Sequence, residues 1–283
     1  MRFDKWQALG NDYMLIEHDK LPFTLTPARI RALCAPHTGV AADGVVLLSA
    51  PERPEAAAAL RIFNPDGSEA ETSGNGTRQA VLYMRRTGWV SADVFTVETA
   101  AGDLRPRISS PTTCTVEMGR ARVRSDDFPS GDKDGRGELS AAGTTWTFQH
   151  VQVGNPQCVI RMEDERTLNS LDLPQIGPAI ERHELFPNRT NVSWFVLLGR
   201  DRIRARIFER GVGETSASGT GAAGAAVAFV LNGGVSPVTV ALDGGELEVT
   251  VEEGLRVALS GWAVPVFIGE LAEEFVEELR GLD

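Results

Sequence analysis

Apolar and polar residues alternate along most of the chain in short runs, which is the pattern of half-buried β-strands. Tyr13–Ile16, Gly44–Leu48 and Leu60–Phe63 are the first such runs, and shorter strands are expected around Val94–Val97 and Thr115–Met118. In the second half strands are expected near Gln152–Ile160, Val192–Leu197 and Ile203–Phe208. Val238–Val240 and Leu247–Val251 flank Asp243-Gly244-Gly245, a hairpin signal. Three segments read as helices. Thr77–Arg86 meets a glycine stop at Gly88, Thr220–Leu231 stops at Asn232-Gly233-Gly234, and Glu270–Leu279 is acidic and amphipathic. Residues Arg124–Gly143 are rich in Asp, Ser and Gly and read as a mobile linker or long hairpin. Short strands with hairpin-sized gaps predict largely antiparallel sheets and an α+β fold.

This order of elements occurs twice. Arg61-Ile62-Phe63 precedes Ser73-Gly74-Asn75-Gly76, and Arg206-Ile207-Phe208 precedes Ser218-Gly219-Thr220-Gly221 at a constant offset of 145. Gly10-Asn11 is answered by Gly154-Asn155 at an offset of 144. Two halves repeated in order predict a duplicated fold with a pseudo-twofold axis. The expected domains are residues 1–118 with 263–283, and residues 119–262.

Composition narrows the function class. Hydrophobic residues make up 42% of the chain and charged residues 24%, normal for a globular protein with a core. A net charge of −11 argues against nucleic-acid or anionic-membrane partners, which need cationic surface. No secretory leader is evident at the start, and the longest nearly apolar stretch, Ala222–Leu231, is too short to cross a bilayer. Cys34, Cys114 and Cys158 are odd in number and widely spaced, so neither a disulfide framework nor a metal cluster is expected. The chain reads as a soluble cytoplasmic protein.

A glycine-rich turn that opens a helix offers unpaired backbone N–H groups and the positive end of the helix dipole, an anion site. The plainer reading is that Ser73 and Ser218 are only N-caps. A lone Ser-Gly-Asn-Gly is weak evidence against that reading, but the matched pair is stronger. Two such loops could share one carboxylate and stabilise charge developing on it.

The motifs resemble those of the diaminopimelate epimerase family. Leu9-Gly10-Asn11-Asp12, Asn64-Pro65-Asp66-Gly67-Ser68, Ser73-Gly74-Asn75-Gly76-Thr77-Arg78, Gly154-Asn155-Pro156, Asn191-Val192, Glu209-Arg210-Gly211-Val212-Gly213-Glu214-Thr215 and Ser218-Gly219-Thr220-Gly221 carry the resemblance, which covers essentially the whole chain. It implies two pseudo-symmetric domains, each a central helix wrapped by mostly antiparallel strands, with the active site in the cleft. It also implies a cofactor-free, homodimeric isomerase that interconverts LL- and meso-diaminopimelate in lysine and cell-wall synthesis. By the same resemblance Asn64, Asn155, Asn191 and Arg210 hold the far end of the substrate, and Asn11 and Glu209 lie nearer the reacting end. Gly74, Asn75, Gly219 and Thr220 supply the backbone cradle. A monofunctional amino acid would leave Asn64, Asn191 and Arg210 unpaired, which favours a substrate with two polar ends. Only Lys5, Lys20 and Lys133 could form a Schiff base; Lys133 lies in the polar linker, Lys5 and Lys20 read as surface charge, and no cofactor is expected.

The family's two proton-transfer thiols begin these Gly-X-Gly turns, and here both positions are serine, Ser73 and Ser218. A thiol can be tuned to thiolate at neutral pH, whereas a hydroxyl needs a strong neighbouring base. The family's Gly-Asn-Pro-His histidine is Gln157, and Gly44 stands where some members carry a substrate-touching side chain. The serines are either natural or an engineered Cys→Ser exchange; a bare exchange would have left the histidine in place, so Gln157 argues for a site that drifted naturally and leaves both open. The remaining carboxylate near the chemistry is Glu209, read as a base or a ligand for the substrate ammonium. The alternatives are a non-catalytic amino-acid-binding homologue and an epimerase for another amino acid.

Overall fold

A computed structural model describes residues 1–70 and 73–282. It comprises two compact units, Met1–Val116 with Gly261–Asp283, and Glu117–Ser260. In the first unit the sheet runs in the order Val264–Glu270, Arg2–Ala8, Asn11–Glu17, Val45–Ser49, Ala58–Phe63, Val97–Thr99, Gly102–Leu104. In the second, Arg136–Ala141, Thr144–Val153, Asn155–Arg161, Asn191–Leu197, Arg202–Glu209, Val238–Leu242 and Gly245–Val251 follow the same order, strand for strand. The duplication in sequence is a duplication in topology.

Most neighbours are antiparallel, but each unit has two parallel pairs at matching places. These are Asn11–Glu17 with Val45–Ser49 and Ala58–Phe63 with Val97–Thr99, then Asn155–Arg161 with Asn191–Leu197 and Arg202–Glu209 with Val238–Leu242. Parallel neighbours cannot be joined by a tight hairpin, so each pair demands a crossover. Those crossovers are where the helices sit: Pro27–Cys34, Gly74–Thr87, Leu173–Glu181 and Gly219–Leu231.

The two long helices are buried for most of their length. Gly219–Leu231 is built from Ala, Gly, Val, Phe and Leu with one threonine, so it has no polar face to give to solvent, and the strands of its sheet wrap it. Gly74–Thr87 buries Asn75 through Met84 and leaves Arg85–Thr87 exposed before the left-handed Gly88 stop (φ 79°).

The repeat extends to side chains. Ile62 pairs with Ala70 as Ile207 pairs with Thr215, and the Arg61–Glu69 ion pair at 2.7 Å is matched by Arg206–Glu214 at 2.6 Å. Such partly exposed pairs contribute about 0–1 kcal/mol, so they fix local geometry more than they hold the fold.

Several expectations need correction. Of the two readings of Arg124–Gly143 the hairpin holds, since Arg136–Ala141 pairs antiparallel with residues 144–149, and the linker does not: Phe128 is 5% exposed with its ring 5.2 Å from Phe148 and 5.7 Å from Phe186. One apolar residue anchors an otherwise polar loop. The single strand expected at Gln152–Ile160 is two strands meeting at Gly154, whose φ of 74° turns the chain as Gly10 (φ 83°) does in the first unit. Val94 makes only an isolated bridge, and the strand starts at Val97. The last helix is Glu273–Arg280, because Glu270 still belongs to a strand. Two further helices, Pro27–Cys34 and Leu173–Glu181, are capped by Thr26 and Asp172 but are too short to show a clear helical period. Lys5 is not surface charge: its Nζ lies 3.2 Å from Asp12 Oδ2 and donates to the Ala41 carbonyl at 2.8 Å. No helix among the described residues is long and apolar enough to cross a membrane.

Gly76 and Gly221 are where each helix meets the strand carrying the repeated isoleucine. A Cβ on Gly76 would come within 3.2 Å of Ile62 Cδ1 alone, whereas on Gly221 it would come within 2.7 Å of Ile207 Cδ1 and 2.9 Å of its Cγ2. Alanine gains up to ~1 kcal/mol of helix propensity over glycine, while forced overpacking costs ~1–3 kcal/mol. Gly76→Ala is therefore expected to be close to neutral and Gly221→Ala to destabilise by roughly 1–2 kcal/mol in urea unfolding. Equal effects at the two sites would contradict this packing.

Candidate active site

Both serines cap their helices in the same way. Ser73 (φ −140°, ψ 118°) accepts the Gly76 N–H on Oγ at 3.1 Å, and Ser218 (φ −137°, ψ 123°) accepts the Gly221 N–H at 3.2 Å. Their carbonyls accept the first helical bonds, from Thr77 and Ala222. The plain capping role is real, and it uses one lone pair of each hydroxyl. Gly74, Asn75, Gly219 and Thr220 lie in the first turn, where N–H groups have no partner within the helix.

Each hydroxyl has a second, different partner. Ser73 Oγ lies 3.3 Å from the Tyr13 hydroxyl. The Ser218 hydroxyl lies near enough to the Glu209 carboxyl to favour its ionised form. A hydroxyl has one proton to donate and two lone pairs, so Ser218 accepts from Gly221 and keeps its proton for a group such as Glu209. Burial pushes the Glu209 carboxyl above its ordinary value, and the Ser218 hydroxyl opposes this in part. A carboxyl raised in this way is a stronger base when ionised.

The other residues fall into two local groups. In the first unit Asn75 Nδ2 donates to Asn11 Oδ1 at 3.3 Å, Asn11 Nδ2 donates to Asp43 at 3.0 Å, and Gln79 Nε2 donates to the Asn11 carbonyl at 3.0 Å. Buried Arg78, its pKa lowered by desolvation to about 10, donates to Asn75 and braces the loop. Asn64 stands apart, its amide donated to Ser68 Oγ at 3.0 Å. In the second unit Asn155, Arg210 and Gly154 line an open cavity of about 590 Å³ with Asp127, Asn188 and Arg189. Arg210 donates to the Asn188 carbonyl at 2.7 Å. Asn191 is 4% exposed, with Oδ1 accepting from Arg210 N at 2.7 Å and Nδ2 donating to the Pro156 carbonyl at 3.2 Å. The Asn191 amide is therefore occupied at both ends by the protein itself.

Gln157 is fully buried against Gly224 and donates to Asn155 Oδ1 at 2.5 Å. Gly44 has no room for a side chain, since a Cβ would meet the Phe63 carbonyl at 2.3 Å and Tyr13 Cε1 at 2.6 Å. His150 bonds Ser125 Oγ at 2.9 Å beside the Phe128 ring, and burial pushes its pKa down to about 4, so it is neutral in the core. Cys158 is fully buried in an apolar cluster, the small core side chain its sequence context suggests. Among the described residues no group of three or more His, Cys, Asp or Glu could hold a metal.

A profile of the family described as diaminopimelate epimerase matches residues 3–124 and 149–260. The chain belongs to the diaminopimelate epimerase family. It is 39% identical to the diaminopimelate epimerase of Synechococcus sp. (strain JA-3-3Ab) over 96% of this chain and 99% of that one. It is 41% identical to that of Magnetococcus marinus, over 95% and 96% respectively. Among solved structures it resembles a probable proline racemase from Agrobacterium radiobacter K84, with TM-score 0.70, 15% identity, and coverage of 96% and 93%, a likeness of fold alone. The gap in the profile match, residues 125–148, includes the polar loop anchored by Phe128.

Tyr13 and Arg78 are the site residues that sequence reasoning passed over. Tyr13 stands three residues after Gly10, and the offset of 144 sets it opposite Gln157. That was the available signal.

The Glu209 shift has a consequence for stability. Below the ordinary carboxyl value of 4.5 the group is protonated in folded and unfolded chains alike. As pH rises from there through the raised folded value, the unfolded chain ionises first and the fold loses stability. Glu209→Gln removes this loss, so the stability of the variant relative to the parent should increase as pH rises above the ordinary carboxyl value of 4.5. A difference that stays flat, or falls, in pH-dependent urea unfolding would contradict a raised carboxyl.

Proposed function

We propose that this chain inverts the α-carbon of diaminopimelate by two-base proton transfer without a cofactor, with Ser73 and Ser218 as its proton-handling hydroxyls. Kinship with diaminopimelate epimerases over nearly the whole chain carries the reading. The helix-start N–H groups of Gly74, Asn75, Gly219 and Thr220 suit the substrate carboxylate, whose charge grows as the α-proton leaves. The cavity beside Asn155 and Arg210 suits the polar far end. Glu209, backed by Ser218, takes the α-proton from one face, and Ser73 delivers a proton to the other. Neither hydroxyl replaces a thiolate alone; Glu209 supplies the basicity that Ser218 lacks.

Homodimerisation is part of the proposal. Val264–Glu270 is an edge strand that exposes Val266, Phe267 and Ile268, each at 45% or more, an apolar strip that a second copy would cover. Sedimentation as a monomer at micromolar concentration would remove that part. A cytoplasmic setting suits three unpaired, buried thiols.

Binding without turnover, or action on another amino acid, is favoured by one observation. The amides of Asn64 and Asn191 are already bonded within the chain, so they do not require a bifunctional substrate. Deuterium wash-in at the α-carbon of diaminopimelate, followed by NMR, separates these readings. The parent is expected to exchange, Glu209→Gln to lose about a hundredfold, and the Ser73→Cys/Ser218→Cys variant to gain at least about tenfold. No exchange in the parent or the double variant contradicts the epimerase reading, and calorimetric binding without exchange identifies a binder.

A further inference from the structure

The duplicated frame allows each residue of one half-site to be matched with a position in the other. Trp6 faces Tyr13 across the first hairpin as Val151 faces Gln157 across the second, so Tyr13 and Gln157 hold the same place beside their helices. Asn64 and Glu209 likewise hold one place, immediately after the repeated Arg-Ile-Phe, at the offset of 145. The proton-bearing groups alternate between these places. In the second unit the carboxyl is at the strand end and the hairpin position is an amide, whereas in the first the amide is at the strand end and the hairpin position is a phenol.

The phenol is aimed at its serine. Tyr13 is 5% exposed, its ring fills the space that a side chain on Gly44 would need, and its hydroxyl lies 3.3 Å from Ser73 Oγ. Ser73 Oγ also accepts the Gly76 N–H at 3.1 Å, which fixes the hydroxyl oxygen and leaves its proton and one lone pair for exchange.

We propose that Tyr13 is the proton source behind Ser73, acting through that hydroxyl and not on the substrate directly. The inference rests on the epimerase reading above. The Ser73 O–H bond breaks as its proton passes to the α-carbanion, and the Tyr13 O–H bond breaks as its proton replaces the one on Ser73. The result is a tyrosinate in the first unit and a protonated Glu209 in the second. No electrons leave the system, and solvent water returns a proton to Tyr13 and removes one from Glu209. In the reverse direction the tyrosinate draws the α-proton out through Ser73. A phenol is a far stronger acid than an aliphatic hydroxyl, so the relay gives Ser73 the acidity that it lacks alone.

Tyr13→Phe removes one oxygen and keeps the buried ring. In the otherwise intact chain it is expected to lower epimerisation about a hundredfold, while deuterium wash-in without inversion persists from the stereoisomer that Glu209 deprotonates. Loss of wash-in from both stereoisomers alike, or of neither activity, overturns the assignment. A second measurement does not depend on turnover. With Ser73→Cys the introduced thiol faces the phenol, and its thiolate absorbance at neutral pH is read with and without Tyr13→Phe. Cys34 and Cys114 are buried with pKa values pushed up to about 12, and burial raises Cys158 as well, so none contributes. Loss of the phenol donor should cut the thiolate fraction roughly tenfold, the equivalent of about one pKa unit. Equal fractions overturn the coupling whatever the turnover. A tenfold difference with no exchange in any variant keeps the coupling and removes the epimerase reading.

Discussion

A helix start that is partly shut off from water carries N–H groups that the helix itself cannot satisfy, and Gly74–Thr87 and Gly219–Leu231 both begin in this way. Ser73 and Ser218 each take one of those donors onto a hydroxyl and leave the other first-turn amides without a partner in the helix. The surrounding architecture follows from placing these starts. Parallel strand pairs force the long crossovers, the crossovers contain the helices, and Gly76 and Gly221 let the helices approach the strands that carry Ile62 and Ile207. In the proposed function these same groups receive the substrate carboxylate.

On this symmetric frame the chemistry is unequal. Topology, caps, turn glycines and even the ion pairs Arg61–Glu69 and Arg206–Glu214 repeat. The partners of the two serines do not, for one is a phenol and the other a buried carboxyl with a raised pKa. Inversion of a stereocentre needs this division: one side must accept a proton while the other supplies one. A family that uses paired thiols can let identical groups exchange roles, whereas paired hydroxyls need unlike helpers.

Much of this was legible in the sequence because it is periodic or local. The strands Asn11–Glu17 and Val45–Ser49 announce themselves by short apolar runs, Arg202–Glu209 by alternation, and the Asp243-Gly244-Gly245 hairpin by its turn residues. The repeat itself fixed both loops. What escaped depends on contacts distant in sequence. Phe128 gives no periodic signal, yet it orders the polar loop by packing on Phe148 and Phe186. Pro27–Cys34 is too short and too mixed to read by period. The Asn191 amide looks like a ligand until Arg210 N and the Pro156 carbonyl are found on it. Tyr13 looks like a strand residue until its hydroxyl is seen beside Ser73, sixty positions away.

The proposed function requires the amides of both capped loops to respond to one carboxylate ligand. Amide ¹H–¹⁵N shifts of Gly74, Asn75, Gly219 and Thr220 during titration with diaminopimelate test it most directly. All four should move along one isotherm with a single Kd, and should fail to move together with a diamine that lacks carboxylates. Movement of one loop alone, or separate isotherms for the two, would contradict the account.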